Sequence, residues 1–429
     1  MLKSTTKILT EVLQLDPSNI QDIAFEDIYT DTRQRMDGGI FLALIGENFD
    51  AHHFIKKAEE MGAVAIISSQ KIVSNLPVLL VEDTQKALSD IAQYHLKNIQ
   101  PKTVAITGSN GKTTTKNLLT NILNLSAPTL KTQGNLNNHL GVPMTLLKLE
   151  HHHQYAVIEM GANHIGEIEH LRCIVNPDVA VITNTGDAHI GEFGGKANLI
   201  KAKGEIYSKH SKNIVNTQTQ FKGDISFTPA SVQDSNNSKT VDVFASDIKK
   251  SSFTLNIHQQ QIHINLQLIG THNIDNALAA SACAYALGID FKTIKSGLES
   301  TTAENGRLNI IHTDQFTLID DSYNASPSSI TAALETLKTF SGELVIVLGD
   351  MAELGTQTIT LHKKIGLQAQ QISPNFYTFG PLAEHYQAQH FASQTALADH
   401  ILQHHQGATL LIKGSRVVQL DKLVKLLQK

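Results

Sequence analysis

Short apolar runs rich in Val and Ile recur along the chain, and the stretches between them carry apolar residues at helical spacing. Runs at 40–44, 63–68 and 78–81 predict strands of a small N-terminal α/β unit, with a helix over about 52–61. Residues 84–98 repeat apolar positions every three or four residues and lead to Pro101, which predicts a helix and then a linker. From Thr103 onward, strands at 104–107, 156–160 and 179–184 alternate with helices near 112–125, 165–175 and 197–208. Such alternation builds a mostly parallel sheet wrapped by helices, and a sheet of that kind takes ligands at the carboxyl ends of its strands.

The pattern changes after 211. Residues 253–268 (FTLNIHQQQIHINLQL) alternate apolar and polar side chains, which predicts an antiparallel hairpin. Residues 273–287 form a strongly apolar, Ala-rich helix, and a last α/β unit begins near Ile310 with strands at 317–319, 344–348, 376–379 and 409–412. No internal repeat interrupts this order.

The stretch TGSNGKTTTK, Thr107 to Lys116, follows the buried strand at 103–106 directly. A strand that breaks into Gly-rich backbone and then opens a helix gathers N–H groups around one point, where the helix dipole favours an anion. Gly108, Ser109, Asn110 and Gly111 would supply that backbone, Lys112 a full positive charge, and Thr113 and Thr114 hydroxyls within reach of a phosphate or its Mg²⁺. Gly108 and Gly111 stand two residues closer than in the strict P-loop pattern, so the strand before and the helix after carry the reading. The fold expected is α/β: a three-domain chain with a central P-loop mononucleotide-binding parallel sheet, a small N-terminal α/β domain and a C-terminal Rossmann-like α/β domain. Limits of 1–82, 83–309 and 310–429 fit a length of 429 residues.

Composition narrows the class. The net charge is −5, with Lys and Arg dispersed rather than clustered, which disfavours a dedicated nucleic-acid binder. The two cysteines, Cys173 and Cys283, fall inside apolar helical patterns and read as buried, inert thiols. MLKSTTKILTEVLQL lacks the features of a signal peptide and no apolar run is long enough to span a bilayer, so a cytoplasmic protein, a monomer, is expected. The HHH run at 151–153 reads as a solvated turn.

Polar residues accumulate at the strand ends of the central region. Glu159 is followed by Gly161, Ala162 and Asn163; Asp187 and His189 lie in NTGDAHIGEFGG; Lys203 follows in KANLIKAKGEIY. Singly, Glu159 reads equally well as a structural carboxylate, His189 as a hydrogen-bonded loop residue and Lys203 as a solvated helix lysine. Grouped beside a triphosphate site, they point to Mg²⁺, which favours oxygen ligands and water.

These residues carry a resemblance. EMGANHIGEIEHL, NTGDAHIGEFGG, AKGEI, GTHNIDNALAA and LIDDSYNASPSS, in this order after TGSNGKTTTK, resemble the Mur ligases of peptidoglycan synthesis. GNLNNHLGVPMTLL, VLGDMAELG and LIKGSR are closest to the member that adds D-alanyl-D-alanine to UDP-N-acetylmuramoyl-tripeptide. The resemblance implies an ATP-dependent amide ligase that proceeds through an acyl phosphate. It implies that Lys112 contacts the β/γ-phosphates, that Thr113 and Glu159 hold one Mg²⁺ and His189 a second, and that Lys203 is carbamylated by CO₂. It further implies Asn273 and Asn276 on the base side of ATP, Arg307 on its phosphates and Asp321 on its ribose. For the other substrates it implies Thr32, Arg33 and Gly46 at the uridine end, and Gly134, Asn135 and Asn138 toward the muramoyl peptide. Asp350, Lys413, Ser415 and Arg416 would face the dipeptide, with Arg416 on its free carboxylate.

Two departures stand out: Ala51 and His53 where the family usually has Gly and Asp, and Ser326 where it usually has Asn. Two other readings stay open on the sequence. One is a ligase with a different acceptor, another Mur step or a relative of the folylpolyglutamate synthases. The other is a nucleotide-dependent switch, which would have no use for Glu159, His189 and Lys203 together.

Overall fold

The computed structural model describes residues 4–46, 48–187, 190–230 and 241–428. The chain divides into two compact units. One takes the described residues up to Ala105 with Ala127–Ala162 and Glu167–Asp178; the other takes Ile106–Ser126, Asn163–Gly166 and the described residues from Val179 onward.

In the first unit, a four-stranded parallel sheet runs in the order Ile28–Tyr29, Ile40–Leu42, Ala65–Ser68, Val78–Leu80. Phe41 and Ile66 pack with Met36, Ile55 and Ala58 into its core, the last two from the helix Ile55–Glu60. That helix is shorter than its sequence pattern because the turn before it, Ala51–Phe54, is 3-10. The helix Thr84–Ile99 starts where Asp83 accepts the N–H groups of Gln85 and Lys86 and ends at Gln100, which is left-handed just before Pro101. A second parallel pair joins Thr129–Lys131 to Tyr155–Glu159.

The helix Glu167–Val175 buries Ile168, Leu171, Ile174 and Val175. Cys173 therefore falls on its outer face and is exposed, against the sequence expectation, whereas Cys283 is buried. Burial pushes the Cys283 thiol up, which fits an inert role.

In the second unit the strands Val179–Ile182, Lys212–Asn216, Ile225–Phe227 and Val243–Lys249 lie parallel in that order. Ser252–Ile257 and Gln260–Asn265 continue antiparallel, so the expected hairpin is the end of a three-stranded meander. The helix Thr271–Ala286 is buried almost all round, which explains its Ala-rich composition.

The C-terminal sheet has six strands in the order Asn309–His312, Thr317–Asp321, Thr409–Lys413, Leu344–Gly349, Phe376–Phe379, Gln389–Phe391. All neighbours are parallel except the first pair. Ile346 and Leu348 point into a core with Ile330, Leu334 and Ile365, while Val345 and Val347 point into another with Leu397, Ile401 and Leu423. Both faces are covered, which is why these strands read as unbroken apolar runs.

Candidate nucleotide site

The buried strand Lys102–Thr107 turns at Gly108, φ +150°, and the helix Lys112–Asn124 opens from Gly111, φ +79°. A Cβ on Gly111 would lie 2.1 Å from Asn276 Oδ1, and one on Gly108 would lie 2.0 Å from Thr183 Oγ1. Only glycine allows both the dihedral and the approach at Gly111. The 183–186 loop braces the turn. Ser109 N–H donates to Asn184 O at 3.0 Å and Asn110 N–H to Asn184 Oδ1 at 3.2 Å. Thr183 Oγ1 and Asn184 Nδ2 both donate to Asn110 O, at 2.6 and 3.0 Å. Lys196 Nζ in turn grips this loop through Thr185 O, Gly186 O and Asp187.

Lys112 Nζ donates to Gly108 O at 2.8 Å, so its charge sits over the turn. Thr113 is 6% exposed, and its Oγ1 accepts from Arg307 at 2.9 Å. Thr114 is half-buried on the same first turn. Asn110 Nδ2 donates to Ser328 Oγ at 3.0 Å, and Ser326 Oγ donates to Asn110 Oδ1 at 3.1 Å. Ser326 also caps the helix Pro327–Leu337 in a reciprocal box with Ser329, so this departure from the family pattern is structurally filled. The P-loop and the start of the C-terminal sheet thus meet within one compact unit. Beside them, Gly191 N–H donates to Glu353 O at 3.1 Å, and a Cβ on Gly191 would lie 2.6 Å from Gly355 N.

Asn273 and Asn276 are buried. Asn276 Nδ2 donates to Asn273 Oδ1 at 3.0 Å, and Asn276 Oδ1 accepts from Thr115 at 3.4 Å. Asn276 thus braces the P-loop from beneath. Lys203, in the helix Lys196–Gly204, is 1% exposed and its Nζ lies 5.3 Å from the Phe193 ring centroid, so it is not a solvated helix lysine. His189 lies outside the described residues.

In the other unit, Glu159 is 3% exposed at the end of its strand; it accepts from Asn137 Nδ2 at 2.9 Å, and its N–H donates to Thr132 Oγ1. Asn135 is exposed, and Asn138 Oδ1 accepts the N–H groups of Leu140 and Gly141 as the chain enters the helix Gly141–Leu146. Gly134 takes a left-handed φ of +54° with open space around it. Arg33 is exposed and chelated by Asp31, beside half-buried Thr32. Gly46 packs under the Phe49 ring. Ala51 is buried, and His52 rather than His53 makes the polar link, from Asp50 at 2.6 Å to Ser69 N–H at 3.2 Å.

At the C-terminal strand ends, Lys413 is buried against Asp321 at 2.6 Å and Asn324 O at 2.8 Å, while Asp321 Oδ1 accepts Leu308 N–H. Burial pushes the Asp321 carboxyl above its ordinary value, against the opposing pull of Lys413 and Arg307. Lys413 is thus turned inward onto Asp321 and Asn324. Replacing Lys413 with alanine is expected to cost about 3–5 kcal/mol of stability at neutral pH, because it strands a buried carboxylate. The penalty should set in as pH rises through the raised Asp321 value and grow until the still higher value the carboxyl takes without Lys413, since below the first Asp321 is neutral in both proteins. Urea unfolding at several pH values measures this, and a flat loss under 1 kcal/mol would contradict it.

Asp350 Oδ1 accepts the N–H groups of Leu382 and Ala383, at 3.0 and 2.8 Å, which fixes the turn Ala383–Tyr386. Ser415 is 1% exposed, and its Oγ has no hydrogen-bond partner among the described residues. Arg416 is mostly exposed, pairs with Asp421 at 3.2 Å and lines a cleft of about 280 Å³ with Asn305, Ser322 and Lys425. Sequence reasoning missed Asn137, Asn184, Lys196 and Ser328; polar residues just after apolar strands were the available signal for Asn184.

The residues fit a nucleotide. Gly108 and Gly111 let the turn pack directly on Thr183 and Asn276, and Lys112 Nζ lies over that turn while Arg307 reaches the Thr113 hydroxyl. Thr113 and Glu159 are hard oxygen donors of the kind Mg²⁺ takes.

Comparison with known proteins agrees with this geometry. The profile described as Mur ligase middle domain matches residues 106–284, and that described as Mur ligase, glutamate ligase domain, matches residues 306–416. The chain is 37% identical over 448 residues to the UDP-N-acetylmuramoyl-tripeptide–D-alanyl-D-alanine ligase of Escherichia coli, covering 100% of this chain and 99% of that protein. It is 35% identical over 449 residues to the enzyme of that name from Haemophilus influenzae, covering 99% and 98%. A crystal structure of MurF from Acinetobacter baumannii superposes with a TM-score of 0.93 at 37% identity, covering 100% of this chain and 99% of that one. MurF of Thermotoga maritima in complex with ADP superposes with a TM-score of 0.84 at 28% identity, covering 94% and 97%.

Proposed function

The chain belongs to the Mur ligase family, and we propose that it adds D-alanyl-D-alanine to UDP-N-acetylmuramoyl-tripeptide at the expense of ATP. The observation that carries this reading is end-to-end identity of 35–37% with two ligases of that name. Membership in a family of ligases removes the nucleotide switch left open by the sequence.

A carboxylate resists nucleophiles because its charge is delocalised. Transfer of the γ-phosphoryl group to a carboxylate oxygen breaks the bond to ADP and leaves an acyl phosphate. The dipeptide amine then attacks the acyl carbon, loses a proton and expels phosphate, giving the amide of the pentapeptide. The protein positions the substrates and neutralises charge.

In this reading Gly108 to Thr114 cradle the triphosphate, Lys112 and Arg307 meet its phosphates, and Asn273 and Asn276 hold the cradle in shape. Thr113 and Glu159 would hold one Mg²⁺, and His189 with Lys203 a second. Bound there, the ions would screen the phosphates and polarise the transferring group. Carbamylation of Lys203 is what the family resemblance implies for this position; the carbamate would offer oxygens to a cation. Asp321 would stand near the ribose through its pair with Lys413. Thr32, Arg33 and Gly46 would serve the uridine end, and Asn135 and Asn138 the muramoyl peptide. The dipeptide would enter the cleft beside Arg416, with the orphaned Ser415 Oγ close in sequence and Asp350 shaping the neighbouring turn. We assign 1–82 to the UDP end, 83–309 to ATP and 310–429 to closure and the dipeptide, in a monomer. Among the described residues no helix is long and apolar enough to cross a membrane, and the proposed reaction is assigned to the cytoplasm.

The test is release of ADP and phosphate with each tripeptide variant, carrying diaminopimelate or lysine, with product mass measured. Turnover should require both tripeptide and dipeptide; equal turnover without the dipeptide, or preference for a single amino acid, would overturn the reading.

A further inference from the structure

Arg307 reaches Thr113 from a different stretch of chain, and a long flexible side chain does not stay in one place without help. Its guanidinium carbon lies 4.1 Å from the centroid of the Tyr323 ring, while the Glu304 carboxylate is 3.7 Å from Nε. A planar guanidinium stacked on an aromatic face loses little entropy on forming a further hydrogen bond, because the stack already fixes its plane. Tyr323 is itself anchored. Its N–H donates to Gly306 O at 3.0 Å, and Gly306 N–H donates to Asp320 Oδ2 at 2.9 Å. Gly306 stands at φ +76°, where a Cβ would press within 3.1 Å of the Tyr323 nitrogen. The residue just before Arg307 and the ring beneath Arg307 are thus tied together through main chain, so arginine and platform move as one piece.

We propose that Tyr323 is a positioning residue that holds the Arg307 guanidinium over Thr113 for contact with the ATP phosphates. This rests on the reading of Arg307 as the phosphate contact. Tyr323 needs no bond to substrate for this role; its ring face suffices, and its hydroxyl does not enter.

The experiment compares Tyr323→Phe, Tyr323→Leu, Arg307→Ala and the double variant Arg307→Ala/Tyr323→Leu, measuring kcat, KM for ATP and the thermal midpoint. Tyr323→Leu should lower kcat at saturating ATP by about five- to thirtyfold, the worth of one partly desolvated cation–π contact, with an unchanged thermal midpoint. Tyr323→Phe keeps the ring and should keep most of the activity. The double variant should be no slower than Arg307→Ala alone, because the platform has nothing left to hold. Losses that multiply in the double variant, or a Tyr323→Phe defect equal to that of Tyr323→Leu, would overturn the proposal. Full activity of Tyr323→Leu beside a slow Arg307→Ala would also overturn it while leaving the Arg307 assignment standing. A fully active Arg307→Ala would sink that assignment and this inference together.

Discussion

Replacing Lys203 with alanine is expected to lower turnover at saturating substrates by about a hundred- to a thousandfold, the loss typical for one well-placed charge-stabilising group. Lys203 sits in the last turn of its helix at 1% exposure, with Nζ 5.3 Å from the Phe193 ring. Lys203 is also the position at which the family resemblance implies a carbamylated lysine. Once the ammonium gives up a proton, the free amine adds CO₂ through a new N–C bond and releases a second proton, leaving a carbamate anion with two oxygens, which reverses its effect on a divalent ion nearby. The parent enzyme should therefore lose activity in CO₂-depleted buffer and regain it with bicarbonate, while the alanine variant gains nothing from bicarbonate. An alanine variant within threefold of the parent would remove Lys203 from the site; a parent indifferent to bicarbonate, with an intact mass showing a bare amine, would remove the modification.

Gly111→Ala is expected to raise the KM for ATP, with about a hundredfold loss in kcat/KM, and to lower stability as well. Two costs combine. Left-handed backbone costs an alanine about 1–2 kcal/mol, and the new methyl would sit 2.1 Å from Asn276 Oδ1, adding about 1–3 kcal/mol of overpacking. Asn276 cannot swing aside freely, because Asn273 and Thr115 hold it. Trimming it in Gly111→Ala/Asn276→Ala should return the steric share but not the backbone share. A single variant whose ATP KM stays within twofold of the parent would show that the turn tolerates a side chain there.

Much of this architecture was legible because local chemistry and tertiary demand coincide. The run before Gly108 is apolar because both faces of its strand are covered, and Gly111 is glycine because its φ and the closeness of Asn276 allow nothing else. The C-terminal strand Leu344–Gly349 likewise reads as a strand because alternate residues enter two different cores. The strands Thr129–Lys131 and Ile225–Phe227 were not legible: three residues carry no period. Val243–Lys249 hides behind an irregularity between Ser246 and Lys249, where Asp247 takes a left-handed φ.

The site divides in the same way. Lys112 and Thr113 announce themselves through the glycines beside them. Lys203 does not, because lysines at 196, 201 and 203 make its helix look solvated, and only packing reveals that one of them is enclosed. The inward turn of Lys413 toward Asp321 and the stacking of Tyr323 under Arg307 join residues far apart in sequence, and no local pattern encodes such pairings.

Where Gly191 meets Glu353 and Gly355, the join is peptide against peptide, with no ionisable atom taking part in the bond itself. Added salt or a shift in acidity weakens phosphate-gripping cations but leaves such a join nearly untouched. Ionic conditions can therefore loosen the hold on the nucleotide while these two loops stay fastened, so affinity for ATP and the fastening of the loops respond to the medium separately.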